Sequence, residues 1–420
     1  KNKLFVIMRI SVKTLITILI FSKGLFNPSY AQTNDSISKL LVNDLKQIFS
    51  QNNINGFSVA IVNQNGTLFE SGFGYSNRKE NKKYTENTIQ NIGSISKTFI
   101  GVTLMKAQEL GYFNLDDPIN DFLPFKVINP YFPNIPITIR QLATHTSSIR
   151  DPSRYERNGY ILKEENNGEA KVNRNFRSPK EMMTQSVFLK KILDNNGEWY
   201  KKNNFLKNKP GDKFEYSNIG AGLASLVLEN AIGESFNILT KKYIFDPLGM
   251  SNTGWSFNEV DFSKHSILYS NVETELAFYK LITYPDGGLI TSSSDLGKYL
   301  SELISGHNGI GSILNMKSYE ELFGSNLNDK NHKERNENAY NDEYDMGVFM
   351  GLSHQGQIGH TGSDPGVTSL MFFNSKTKIG KILLVNTELN KDGINQLKDI
   401  WKKLEEFESK YEHESEIINN

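Results

Sequence analysis

Two spacings of apolar residues divide this chain. Leu40, Leu41, Leu45 and Ile48 recur at helical intervals within Ile37–Phe49, which predicts an amphipathic helix. Phe57–Val62 (FSVAIV) reads as a strand, Asn65-Gly66 as a tight turn and Thr67–Phe73 as the returning strand, since Asn-Gly readily supplies the positive φ a two-residue hairpin needs. The middle is helical. Thr98–Leu110 ends at Gly111, Leu115–Pro118 begins a turn and a short helix, and Thr138–Ala143 has helix-start character. Ala221–Ala231 is a further helix, and Ser294–Ser305 reads as another with Ser294 and Asp295 at its cap. Arg150–Lys209 is polar and irregular, with helical spacing only near Glu181–Leu193. Asn326–Glu343, rich in Asn, Asp, Glu and Lys, predicts a mobile surface loop. Strand patterns return in His354–Gly359, Val367–Phe373 and Ile379–Asn386, the last two joined by Ser375-Lys376-Thr377. A closing helix carries Ile394, Leu397, Trp401, Leu404 and Phe407 on one side.

Strands at both ends and helices between them predict an α+β fold. An antiparallel sheet formed from both chain ends is flanked by helices, and a mostly helical lobe is inserted into it. The sheet lobe would take about 32–90 and 350–420, the helical lobe about 91–349, together one domain over 32–420. No repeat and no long linker interrupts it.

Composition narrows the function. With 420 residues, 26 Phe and 18 Tyr, the chain can bury a sizeable core. Lys+Arg and Asp+Glu balance at 47 each, so nothing favours nucleic acid or an acidic membrane surface. The absence of cysteine excludes disulfides, a thiol nucleophile, thiolate metal sites and a lipid-modified Cys. There is no G-x-S-x-G, H-E-x-x-H or G-x-x-x-x-G-K-[ST] pattern, and the seven His are scattered. No metal or organic cofactor is expected.

Arg9 and Lys13 precede the apolar run Leu15–Phe21, and Pro28-Ser29-Tyr30-Ala31 follows. This layout predicts a secretory signal peptide over residues 1–31, with Met8–Ala31 as a conventional leader. The other reading is an uncleaved anchor, although the run is too short to span a bilayer comfortably. No other segment approaches about 18 apolar residues. The expectation is export, periplasmic or secreted, with no transmembrane span after signal removal.

Three short patterns carry chemistry. Ser94-Ile95-Ser96-Lys97 is an S-x-x-K. Residues three apart share a helix face, so the hydroxyl and amine can meet. A helix N-terminus favours negative charge developing on the Ser, and a Lys withdrawn from water can accept its proton. The pattern also occurs at Ser36 and Ser375, but only Ser94 follows a Gly and precedes a long apolar helix. Tyr-Ser-Asn occurs at Tyr75, Tyr216 and Tyr269, and only the Tyr216 copy leads from a Pro-Gly-Asp turn into a small-residue helix. Gly359-His360-Thr361-Gly362-Ser363 occurs once, at a strand end, where small residues let a substrate backbone approach. Each pattern alone is compatible with ordinary capping and turn chemistry. His145 reads as structural.

In this order, the three patterns resemble the serine β-lactamase and penicillin-binding-protein superfamily, nearest to class C β-lactamases and soluble D-Ala-D-Ala carboxypeptidases. Ile139–Ser147, Pro210-Gly211, Asp246–Met250 and Asp286–Leu289 add to the resemblance, which covers about 50–390. Arg150–Lys209 matches no motif of the family, and His360 stands where most β-lactamases carry Lys. The resemblance implies a β-lactamase/transpeptidase-like fold and a serine hydrolase. Ser94 would be the nucleophile, Lys97 its activating partner and Tyr216 the proton donor to the leaving group. Asn218 would hydrogen-bond the substrate amide, Thr361 would donate to a substrate carboxylate beside His360, and the N–H groups of Ser94 and Ser363 would form the oxyanion hole. Implied substrates are small peptides, amides or esters, peptidoglycan-derived ones among them. His360 ranks a D-Ala-D-Ala-carboxypeptidase-like peptidase first, with a β-lactamase or a carboxylesterase as alternatives. A non-catalytic peptidoglycan- or partner-binding protein is the rival of another class.

Overall fold

The computed structural model describes residues 28–166, 168–333, 335–338 and 344–419. The predicted leader lies outside the described residues except for Pro28–Ala31, which begin helix α1 (Pro28–Phe49). Strands β1 (Gly56–Asn63), β2 (Gly66–Asn77) and β3 (Lys82–Lys83) follow. β4 (Asp345–Met346), β5 (Gly351–Leu352), β6 (Gln357–Asp364), β7 (Val367–Asn374) and β8 (Gly380–Val385) come from the other end of the chain. They form one antiparallel eight-stranded sheet in the order β3-β2-β1-β8-β7-β6-β5-β4. The seam between the two chain ends is the β1–β8 pairing, with Val59 opposite Leu383.

Both faces of this sheet are covered, which is why FSVAIV shows no polar alternation. Phe57, Val59 and Ile61 pack with Leu45 of α1 and with Trp401, Leu404 and Phe407 of the C-terminal helix, Lys391–Asn419. Ala60 and Val62 face the opposite core, with Leu296, Leu300 and Leu303 of the helix Ser293–His307. That helix is capped by Ser292, whose Oγ accepts from Asp295 N at 3.1 Å, so the cap lies two residues before Ser294. In the C-terminal helix Ile394 is 42% exposed, contrary to expectation. Buried Gln396 takes the inward position in that turn, donating to Ile48 O at 2.9 Å and accepting from Asn53 N at 2.9 Å. The polar end of α1 requires those bonds. Further along, buried Lys381 of β8 pairs with buried Glu408.

Between the strand sets lies the helical region. Helix α2 (Ser96–Glu109) is apolar on nearly every side and buried accordingly, with Phe99 stacked on Tyr299 at 4.0 Å between centroids. Helix α3 (Asn218–Ile232) packs against it. Arg150–Lys209 holds more order than its polarity suggests. Tyr160–Leu162 pairs with Tyr279–Leu281 and with Phe176–Arg177 in a three-stranded sheet, and a helix runs over Gln185–Leu193 from its Thr184 cap. Strands of two or three residues leave no readable period. Of the loop predicted over 326–343, residues 334 and 339–343 lie outside the described residues, and the rest runs without regular structure. No helix among the described residues is long and apolar enough to cross a membrane.

Candidate active site

β6 extends past the predicted strand end, so the Gly-His-Thr-Gly-Ser segment lies on the strand itself. Of β6, β5 covers only Ile358 and Gly359. From His360 onward that edge is open, and the 3₁₀ turn Gly93–Ile95 packs against it. Two glycines permit the close approach. A Cβ on Gly362 would lie 2.0 Å from Ile92 O, and a Cβ on Gly93, which has φ +57°, would lie 2.8 Å from Ser363 N. Ser369 Oγ donates to Ile92 O at 2.6 Å and fixes the turn on the sheet.

This turn holds Ser94 and runs into α2, which carries Lys97 one turn later. Lys97 is 0% exposed. Its Nζ lies 2.9 Å from Ser94 Oγ, 2.7 Å from Asn218 Oδ1 and 2.6 Å from Asp286 O. The Asp286-Gly287-Gly288-Leu289 segment is held to the same turn, for Ile92 N donates to Leu289 O at 3.0 Å and Leu289 N to Ser96 Oγ at 3.1 Å.

The middle residue of Tyr216-Ser217-Asn218 is structural. Ser217 caps α3, its Oγ accepting from Gly220 N at 3.0 Å. Asn218 is the first residue of that helix, and both ends of its amide are engaged: Oδ1 with Lys97, Nδ2 donating to Asp151 Oδ2 at 2.8 Å. The Asp151 carboxylate also accepts from Ser217 Oγ at 2.9 Å, Asn218 N at 2.8 Å and Ile219 N at 3.0 Å. It therefore complements the positive end of α3 while aiming Asn218 at the lysine. The Tyr216 ring centroid lies 5.2 Å from Lys97 Nζ, with the rings of His145 and His360 at 4.4 Å and 6.1 Å.

Burial sets the charge state of the surroundings. His360 is pushed down to about 4, first by burial and then by Lys97, so it is neutral at neutral pH. Its Nδ1 donates to Thr361 O at 2.5 Å, leaving Nε2 without a hydrogen-bond partner among the described residues. His145, with φ +53°, is held well below the ordinary histidine range by burial and by Lys97. Ser217 N donates to its Nδ1 at 3.2 Å. Buried Asp286 is raised by desolvation against the pull of Lys97, and Tyr155 Oη donates to both its oxygens at 3.0 Å. Asp364 is raised to about 6 by burial, opposed by a 2.6 Å hydrogen bond from Tyr160 Oη.

A cleft of about 440 Å³ opens over this centre. Ser94, Tyr216, Asn218, His360, Thr361 and Ser363 all line it, with Lys97 beneath. The sequence-predicted residues thus come together, from the turn before α2, the start of α3 and the open edge of β6. Of the other S-x-x-K copies, Ser36 is exposed on α1, Ser76 lies at the end of β2 and Ser375 lies in the turn between β7 and β8. The remaining Tyr-Ser-Asn copies end β2 and form a surface turn in which Asn271 Oδ1 accepts from Glu273 N and Thr274 N, both at 2.9 Å. Asp151, Tyr155 and Tyr160 escaped the sequence reading. All three fall in the unmatched polar stretch, where two tyrosines five residues apart behind an Asp were the available signal. Among the described residues, no group of three His, Asp or Glu side chains could hold a metal ion.

An antiparallel sheet joining the chain ends, with a Ser-Lys pair against its open strand, is the architecture of a β-lactamase-like fold. The chain belongs to the beta-lactamase family, a family of serine hydrolases, whose model matches residues 41–404. It is 25% identical over 374 residues to Protein flp of Staphylococcus aureus strain N315, covering 87% of this chain and 66% of that relative, a little under two thirds of its length. The D-amino acid amidase of Ochrobactrum anthropi SV3 superposes with a TM-score of 0.63 at 19% identity, covering 87% of this chain and 99% of that one. A beta-lactamase/D-alanine carboxypeptidase of Pseudomonas syringae superposes with a TM-score of 0.61 at 15% identity, over 87% and 99%. At those identities the two superpositions establish the fold.

Proposed function

We propose that this chain is an exported serine hydrolase that forms an acyl-enzyme on Ser94, and that it acts as a D-Ala-D-Ala-carboxypeptidase-like peptidase. The observation that carries the reading is the placement of Lys97 Nζ, buried and within 2.9 Å of Ser94 Oγ. Its contacts suit both charge states. As an ammonium, Lys97 donates to Ser94, Asn218 and Asp286. As a neutral amine it keeps the donations to Asn218 Oδ1 and Asp286 O and presents its lone pair to the Ser94 hydroxyl. Ser94 Oγ then attacks the substrate carbonyl while its proton passes to Lys97. The N–H groups of Ser94 and Ser363 receive the oxyanion, and each such donor contributes about 3 kcal/mol of barrier lowering. Collapse of the tetrahedral intermediate expels the leaving amine, protonated through Tyr216 or Lys97. Water, activated by the same pair, releases the acyl group.

A peptidase ranks ahead of a β-lactamase because neutral His360 stands at the third motif. Export rests on Arg9 and Lys13 before the apolar Leu15–Phe21 and on the small residues ending at Ala31. A panel of a chromogenic cephalosporin, a D-Ala-D-Ala peptide and a p-nitrophenyl ester tests the ranking. Release of D-alanine faster than cephalosporin opening supports it, and rapid cephalosporin turnover with no D-alanine release refutes it. An N-terminus at Gln32 in secreted material tests export, and retention of residues 1–31 in a membrane fraction counts against it.

A further inference from the structure

A second cavity, of about 420 Å³, opens between α3, the helix Gln185–Leu193 and the segment leading from Ile282 to Tyr284. It shares no lining residue with the catalytic cleft. Its volume lies in the range of small-molecule sites, about 300–1,000 Å³. Met183, Leu226, Trp255, Ile282 and the Tyr284 ring give it apolar walls, and the Trp255 and Tyr284 rings meet edge to face at 5.7 Å between centroids.

Two acceptors in this cavity lack a full set of donors. Glu229 stands in the last turn of α3, where the helix presents its negative end. Phe236 N and Tyr284 Oη both donate to its Oε1, at 2.9 Å and 3.2 Å, leaving Oε2 without a hydrogen-bond partner among the described residues. Burial raises this carboxyl against those two hydrogen bonds. Gln185 is 7% exposed; its Nε2 donates to Ser225 Oγ at 3.0 Å, and its Oε1 has no hydrogen-bond partner among the described residues. The other lining carboxylate, Glu259, already accepts from Trp255 N, Ser256 Oγ and Asn237 Nδ2. No lysine or arginine is among the described lining residues. The open carboxylate oxygen and the buried amide oxygen call for a donor, the helix end favours positive charge, and aromatic rings attract cations.

We propose that this cavity is a binding site for a small organic cation, with a primary ammonium group paired to Glu229 and donating to Gln185 Oε1, and an apolar body against Trp255 and Tyr284. The site is separate from the acyl-enzyme centre, since Glu229 lies about 16 Å along α3 from Asn218. Its test therefore does not depend on the hydrolase reading.

Isothermal titration calorimetry of the full chain with 3-phenylpropylammonium chloride and with its neutral isostere, 3-phenylpropan-1-ol, provides that test. Wild type should bind the ammonium compound about tenfold or more tightly than the alcohol, as expected of a partly buried charge pair. Glu229→Gln keeps an acceptor for Phe236 N and Tyr284 Oη and should bring the two affinities within about twofold of each other. Ser186→Trp, which fills the cavity from the helix Gln185–Leu193, should abolish binding of both. No binding of the ammonium compound by wild type at millimolar concentration, or equal affinity for the two compounds, overturns the proposal. So does ammonium binding that survives unchanged in folded Glu229→Gln or Ser186→Trp protein, which would place the cation beside Asp286 and Asp364 in the catalytic cleft instead.

Discussion

Replacing Asp151 with alanine removes one carboxylate from beneath the first turn of α3, and the structure gives the consequence in parts. Four donors lose their acceptor: Ser217 Oγ, Asn218 N, Asn218 Nδ2 and Ile219 N. Two are backbone groups at a helix start with no intrahelical partner. A hydrogen bond to a charged group contributes about 1.5–3 kcal/mol, but Asp151 is half-buried and water replaces part of the loss, so about 3 kcal/mol of stability should go in total. The effect on reactivity is separate. With Nδ2 released, nothing on the Asp151 side holds Asn218 Oδ1 against Lys97 Nζ, and the amine loses one of the two fixed partners that aim it at Ser94. A misplacement of about 1 Å at such a centre costs about a hundredfold in rate. Urea denaturation measures the first effect, and the rate of Ser94 labelling by a fluorophosphonate, under conditions where the variant is folded, measures the second. Asp151→Asn, which keeps one side-chain oxygen, should lie between. A folded Asp151→Ala protein that labels at the wild-type rate would refute the positioning argument.

Three other changes follow from the same contacts. Gly362→Ala places a methyl 2.0 Å from Ile92 O, a backbone atom that cannot rotate away, so it should displace the Ser94 turn and abolish labelling; wild-type labelling would show that the turn does not depend on that approach. Lys381→Ala leaves Glu408 buried without its partner and should cost about 3–5 kcal/mol in urea denaturation, whereas a loss under 1 kcal/mol would mean the pair is solvated in solution. His265, packed among Phe257, Phe262 and Phe278, is lowered to about 4 by burial. The unfolded chain therefore takes up a proton through about pH 6.5 that the folded chain takes up only near 4, and this residue makes stability fall as pH drops through that window. His265→Phe should reduce the slope of unfolding free energy against pH between 6 and 4.5 by about 1 kcal/mol per unit, and an unchanged slope would show that the imidazole takes up its proton at the same pH in the folded and unfolded chain.

What the sequence made legible depends on how far each feature is governed by its neighbours in the chain. β1, the Asn-Gly turn and α2 follow from local period and turn chemistry; the two repeated motifs could be chosen among their duplicates because each working copy lies by a glycine and an apolar helix, and the third motif occurs once. That both chain ends share one sheet was inferred from the strands at each end; the β1–β8 seam and its register, with buried Val59 opposite buried Leu383, come from the structure. Asp151 was illegible for the opposite reason. Its partners lie 66 to 68 residues away, and nothing around it distinguishes a helix-capping carboxylate from a solvated one. Gln396 likewise occupies an inward position that a purely apolar pattern assigns to Ile394, because the end of α1 needs a donor and an acceptor there. The three-stranded sheet around Tyr160 has strands too short to carry any period.

The central claim is that a hydroxyl on the turn before α2 becomes nucleophilic through the buried amine beside it. Intact-protein mass spectrometry with peptide mapping, after exposure to a fluorophosphonate, tests this most directly. Wild type should gain one adduct, mapped to Ser94, while Ser94→Ala gains none and Lys97→Ala gains it at least a hundredfold more slowly. An adduct that persists in Ser94→Ala, or a Lys97→Ala protein labelled as fast as wild type, would contradict the account.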